Sequence, residues 1–125
     1  MVRIEEIEKQ LPVKRKTLLI RLRENHWKVV NVDSDYSDWA LDDKWLIESV
    51  RENKGFRLIL WFFKYDGKHD GMDRVVATLV KSGQPDAYGG QPSIEFDGRK
   101  FERQLKIFME ALHSLRIMPS TEFEI

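Results

Sequence analysis

The chain contains no cysteine among its 125 residues, and this absence excludes several kinds of chemistry. Without cysteine there is no disulfide, no zinc–thiolate site and no thiol nucleophile. A chain that does not use disulfides fits a reducing compartment, so we expect a cytoplasmic protein.

Long apolar runs are also missing from the sequence. No stretch approaches the ~18 residues that a membrane-spanning helix needs. The first ten residues, MVRIEEIEKQ, lack the apolar run of a signal peptide. The sequence therefore predicts a protein without a membrane partner.

Net charge is zero, because 21 lysines and arginines balance 21 aspartates and glutamates. Domains that bind nucleic acid usually carry a basic excess, often with a pI above about 9, whereas the pI here is about 6.8. A nucleic-acid partner is therefore not expected. Charge of one sign is still concentrated locally, because residues 33–48 hold six acidic side chains and one lysine, a net charge of −5.

Motifs of common catalytic and phosphate-binding sites are absent as well. The sequence has no G-x-S-x-G, no G-x-x-x-x-G-K and no G-x-G-x-x-G. The residues from Asp33 onwards do not match the pattern of a calcium-binding loop, because the sixth position is Asp38 instead of glycine and the twelfth is Lys44 instead of glutamate. We expect neither a metal site nor a cofactor.

Hydrophobic periodicity predicts three helices and four to five strands. The predicted helices cover 3–10, 14–25 and 99–116, and the predicted strands cover 27–32, 44–51, 56–65, 74–80 and 94–96. The turns between the middle strands are short and polar, which is typical of an antiparallel meander. The expected fold is one α+β domain over 1–125, an antiparallel sheet of about four to five strands packed against two N-terminal helices and one long C-terminal helix. Residues 117–125 are expected to form a loosely held tail.

The strand predicted at 56–65 is apolar on both of its faces. This pattern favours a central position in the sheet with something covering each face. If all helices lie on one face, the other face is too apolar for water, and a homodimer through that face becomes a possible partner arrangement.

The acidic segment 33–43 and the Gly- and Pro-rich segment 81–93 carry the candidate binding residues. Aspartates can steer a basic partner, and large aromatic side chains can anchor it. We therefore expect a non-enzymatic protein-binding module, regulatory or similar to a toxin-immunity protein, with a basic protein partner. The candidate binding residues are Asp33, Asp35, Tyr36, Asp38, Trp39, Asp42 and Tyr88.

An alternative function is a small-molecule-binding domain or an enzyme. Its site would be built on Asp42, Asp43 and His69, the best placed polar candidates in the sequence. One carboxylate of the pair Asp42 and Asp43, which lies near a tryptophan, could have a raised pKa. Adjacent residues of a strand point to opposite faces, however, which makes a joint role of the two carboxylates less favourable.

The segment from Trp39 to Ser49, WALDDKWLIES, resembles a stretch of small uncharacterised bacterial proteins in which two tryptophans, an aspartate, an isoleucine and a serine lead into a strand. The resemblance covers residues 27–65. It implies an α+β domain of unknown function, and it transfers no catalytic residue.

Overall fold

A computed structural model of the chain describes residues 13–33, 41–64, 73–82, 91–95 and 100–117. These residues form two helices, five strands and a short 3-10 turn at Val80–Ser82. The helices are α1 (Val13–Glu24) and α2 (Phe101–Ile117). The strands are β1 (Trp27–Asp33), β2 (Leu41–Ser49), β3 (Arg57–Lys64), β4 (Asp73–Leu79) and β5 (Ser93–Glu95).

The five strands form one antiparallel sheet in sequence order, β1-β2-β3-β4-β5. The strand with two apolar faces, β3, occupies the centre, where both of its edges are paired. The turn between β2 and β3 contains Gly55 with φ 94° and Asn53 with φ 48°, which are conformations that glycine and asparagine tolerate better than other residues. This sheet agrees with the part of the prediction that concerned strands.

The prediction of two N-terminal helices is wrong. The structure has one N-terminal helix, α1, and one C-terminal helix, α2, while the segment 3–10 lies outside the described residues. Periodicity reports which side of a segment is apolar, but it does not report whether the sheet has room for another helix. In the described part of the chain, α1 and α2 together already cover the inner face of the sheet.

The main core lies between the two helices and the inner face of the sheet. Each helix contributes leucines from its apolar face, and β2 and β3 contribute alternate residues. At its centre the rings of Trp45 and Phe62 are 4.5 Å apart and tilted by 51°, a favourable aromatic arrangement. The fully buried side chains include Leu18, Leu22, Trp27, Trp45, Ile47, Phe62, Phe108 and Leu112.

The outer face of the sheet carries a second, smaller apolar cluster around Ile59 and Trp61. Neither of the two described helices packs there, yet both side chains are less than a tenth exposed in the single chain. The indole N–H of Trp61 donates to the hydroxyl of Thr78 at 2.8 Å, and the ammonium of Lys44 lies 5.4 Å from the ring centre. The homodimer through this face stays a prediction that sedimentation velocity checks, and the centre of the face is already protected from water without a second copy.

Three charged side chains lie together on the outer face, at the β1, β2 and β3 strands. The carboxylate of Glu48 accepts a hydrogen bond from Arg57 at 2.9 Å and forms an ion pair with Lys28 at 3.4 Å. The hydrogen bond from Arg57, followed by the contact with Lys28, lowers the pKa of Glu48 below its usual value of 4.5.

A lowered pKa makes the contribution of Glu48 to stability dependent on pH. The contribution is complete above the ordinary carboxyl pKa and disappears as the pH falls through the lower folded value. We therefore expect Glu48→Gln to be less stable than the wild type at pH 7 and equal to it near pH 2, measured by urea unfolding. The control is Glu110→Gln, an exposed glutamate on α2. If the lower stability of Glu48→Gln persisted unchanged at pH 2, the ion pairs of the Glu48 carboxylate would not be its cause.

Candidate functional site: a cleft between the two helices

An open cleft of about 790 Å³ lies beside the last turn of α1. Its other walls are one side of α2 and the turn between β2 and β3. Leu105 and Met109 of α2 supply apolar surface, and most of the remaining lining side chains are charged or polar. The volume is within the range of roughly 300–1,000 Å³ that small-molecule sites occupy.

Arg116 is the structural centre of this region. Its side chain comes from the last turn of α2, and the residue is only 2% exposed. One terminal nitrogen, Nη1, donates to the backbone carbonyls of Asn25 at 2.9 Å and His26 at 3.4 Å, while the guanidinium lies 4.6 Å from the ring centre of Trp27. Arg116 thereby ties the end of α2 to the segment that joins α1 to β1.

Burial sets the electrostatics of Arg116. Removal from water lowers the pKa of its guanidinium, and the nearby carboxylate of Glu52 partly offsets this effect. The ion pair between Nη2 of Arg116 and Oε2 of Glu52 is 3.5 Å long, and Glu52 itself is half exposed. A buried cation needs such compensation, because an unpaired charge inside a protein is strongly unfavourable.

His113 stands one turn before Arg116 on α2 and lines the cleft. Its Nδ1 lies 2.8 Å from Nη2 of Arg116 and 3.2 Å from Oε2 of Glu52. The position of Glu52 is fixed by its turn, because the hydroxyl of Ser49 donates to the backbone carbonyl of Glu52. Asn53 also donates from its amide to the carbonyl of Arg116 at 3.1 Å, so the turn and the end of α2 hold each other in place.

His26 forms the opposite side of the same region. It follows the end of α1 with a φ of 66°, the left-handed conformation in which helices commonly terminate. Its backbone N–H donates to the carbonyl of Arg23 at 3.1 Å, and its carbonyl accepts from the N–H of Val50 at 2.9 Å. The Nε2 of its ring lies 3.0 Å from Nη1 of Arg51.

Arg21 joins the two helices at the other end of the cleft. Its guanidinium donates to Glu24 of α1 and to Glu102 of α2, each at 3.2 Å. The hydrogen bond to Glu102, and then that to Glu24, raises the pKa of Arg21. These exposed pairs stabilise the fold only slightly, because water screens them.

The described wall of the cleft offers hydrogen-bond donors, acceptors and two histidines, but it does not offer a catalytic nucleophile. The hydroxyl of Ser114 donates to the helix carbonyl of Glu110 at 3.1 Å instead of contacting a histidine. Within the described ranges no three His, Cys, Asp or Glu side chains converge on a point that could hold a metal ion. No helix in this part of the chain is both long and apolar enough to span a membrane.

No protein-family model, curated protein or solved structure matches the chain. The cleft is therefore interpreted from its own geometry alone.

Two of the residues predicted to bind a partner lie in strands. Asp33 ends β1 opposite Lys44, and Asp42 lies in β2, which begins at Leu41. The segment 33–43 is therefore a loop only in part, since β1 and β2 extend into it from both sides. Asp43, of the alternative site, lies next to a bulge of β2 and pairs with Phe62. The positions Asp35, Tyr36, Asp38, Trp39, His69 and Tyr88 lie outside the described residues.

The cleft is lined by none of the predicted residues whose side chains the structure describes. Sequence reasoning missed the cluster around Arg116, although one signal was present. Arg116 stands four residues after Leu112, so it continues the apolar stripe of the helix with a charged residue. A charge on the buried stripe of an amphipathic helix indicates a paired, buried group. Its partner Glu52 could not be found from the sequence, because the two residues are 64 positions apart.

Proposed function

We propose that the chain is a non-enzymatic protein-binding module that recognises a basic protein through the acidic segment between β1 and β2. The observation that carries the proposal is the arrangement of strand ends. Because the strands alternate in direction, β1 ends, β2 begins, β3 ends and β4 begins at the same end of the sheet. We refer to this end, marked by Asp33, Leu41, Lys64 and Asp73, as the acidic end.

The charge of the acidic segment supports a basic partner. Residues 33–43 include five aspartates and neither lysine nor arginine. The nearest lysine in the sequence, Lys44, lies on the outer face of the sheet over the ring of Trp61. Concentrated charge of one sign accelerates association with an oppositely charged surface, and this attraction weakens as salt is added.

The test compares two variants with equal loss of charge. The tagged wild type is incubated at low salt with a lysate of the cells that produce it, and captured proteins are quantified by mass spectrometry. One variant carries Asp35→Asn and Asp38→Asn in the acidic segment, and the matched control carries Glu102→Gln and Glu110→Gln on α2.

We expect one basic protein to be captured in stoichiometric amount by the wild type and by the control. The Asp35/Asp38 variant should retain less than about a tenth of it, which is the loss expected when binding weakens by about 1.4 kcal/mol or more under subsaturating conditions. High salt should release the same protein. Equal capture by the two charge variants, or an acidic captured protein, would contradict the proposal.

A further inference from the structure

We propose that Arg15 is a positioning residue for the acidic segment, because its buried guanidinium pairs with the carboxylate of Asp43 where the segment continues into β2. The pair belongs to the inner face of the sheet and does not depend on a partner outside the protein. Only its effect on partner capture rests on the proposed function.

Arg15 lies in the first turn of α1, and only 4% of the residue is exposed. The central carbon of its guanidinium, Cζ, lies 4.6 Å from the ring centre of Phe62, a fully buried residue of the main core. Phe62 stands two residues before Lys64, so the guanidinium lies near the acidic end. A buried guanidinium needs an opposite charge close by, because an uncompensated ion inside a protein is strongly unfavourable.

The strand register brings Asp43 to the same place. Asp43 of β2 stands directly opposite Phe62 of β3, and the pairing continues without interruption to Trp45. Residues directly opposite on two antiparallel strands share a face, with Cβ atoms roughly 4.5–5.5 Å apart. Trp45 and Phe62 both belong to the main core on the inner face. Asp43 therefore occupies an inner-face register position beside the ring over which Arg15 lies.

Only one other carboxylate occupies an inner-face register position in the strands that the structure describes. It is Asp73, the first residue of β4. Asp73 stands directly opposite Lys64 and not opposite Phe62, so its own register position already has a cationic neighbour. Asp43 is therefore the carboxylate whose place in the sheet matches the buried guanidinium.

The pair gives two neighbouring aspartates different roles. Asp42 falls where the register of β2 shifts, between Leu41 and Asp43, and it has no pairing position in β3. Such a bulge changes the direction of the strand and of the chain that leads into it. With Asp43 held beneath α1 by Arg15, the acidic segment enters the sheet from a fixed point. Arg15 thus acts on partner recognition through Asp43, without touching the partner.

A double-mutant cycle on the whole chain tests the pair without any partner. Arg15→Met, Asp43→Asn and the double variant are unfolded in urea at pH 7. Each single substitution should raise the equilibrium constant of unfolding. In the double variant this constant should be at least about tenfold smaller than the product of the two single effects predicts. The control cycle combines Arg15→Met with Asp33→Asn, at the same end of the sheet but opposite Lys44, and its effects should multiply within about twofold.

Partner capture separates a positioning role from a purely structural one. Under conditions in which all variants are folded, Arg15→Met should capture at least about threefold less of the basic protein than Arg23→Met, the same substitution at an exposed position of α1. Both variants lose one positive charge, which by itself favours a basic partner. Equal capture by the two variants would contradict the positioning role. If the wild type captures no basic protein, the proposed function fails, while the cycle still decides whether the pair exists.

The wild type supplies a second measurement if Arg15→Met or the double variant does not fold. In protein labelled with ¹³C and ¹⁵N, a scalar coupling across the hydrogen bond should connect a guanidinium nitrogen of Arg15 with Cγ of Asp43. A coupling to Asp73 or to another carboxylate in its place, or to none, would overturn the proposal. Independent effects of Arg15→Met and Asp43→Asn in the cycle, or an equally large interaction with Asp33→Asn, would overturn it as well.

Discussion

Arg116→Met is expected to lower the free energy of unfolding by about 2–4 kcal/mol. The substitution removes the hydrogen bond to the carbonyl of Asn25, the contact with His113 and the stacking on Trp27, all made by one buried guanidinium. Methionine fills much of the same volume, so the decrease in the free energy of unfolding arises from these lost interactions and not from an empty cavity. Urea unfolding at pH 7 measures the effect.

Two further variants separate the role of Arg116 from that of positive charge in general. Arg103→Met on the exposed side of α2 should change stability by less than about 0.5 kcal/mol. Arg116→Lys keeps the charge but loses the planar fork that reaches two partners at once, so it should remain clearly destabilised. Unchanged or increased stability of Arg116→Met, as found for some buried ion pairs, would show that the cluster serves something other than stability.

Trp45→Ala is expected to cost more, about 3–5 kcal/mol, because it empties the centre of the main core. The indole is fully buried and packs against Phe62. Its N–H has no hydrogen-bond partner in the described part of the chain, so the cost arises from packing. The control Ile107→Ala, at a side chain that is 56% exposed on α2, should be close to neutral. Equal effects of the two substitutions in thermal or urea unfolding would contradict this description of the core.

The burial of Trp45 also gives a structural explanation for part of the segment WALDDKWLIES. Within it, Trp45, Ile47 and Ser49 alternate along β2 and are completely buried. The first two belong to the main core, and Ser49 holds the following turn through the carbonyl of Glu52. The alternation of Trp45, Ile47 and Ser49 is therefore explained by folding, without a need for a binding role.

The strands and helices whose patterns were strongest in the sequence were predicted closely. β3 was expected in the centre because both of its faces are apolar, and α2 was expected from its regular leucine and phenylalanine spacing. The limits of β2 were predicted less well, because aspartates are unfavourable in isolated strands. Pairing with β3 carries β2 through Asp43 to Leu41 despite that preference.

Local periodicity thus determined the central strand, the long C-terminal helix and the turn at Asn53 and Gly55. These features depend on residues that are neighbours in sequence, so a linear pattern contains them. The number of helices, the burial of Arg116 and the meeting of His26, Glu52 and His113 were decided only by tertiary structure. Those groups come from three separate parts of the chain, and only the packing of α2 against the end of the sheet brings Arg116 and His113 within reach of the carbonyl of His26 and the carboxylate of Glu52.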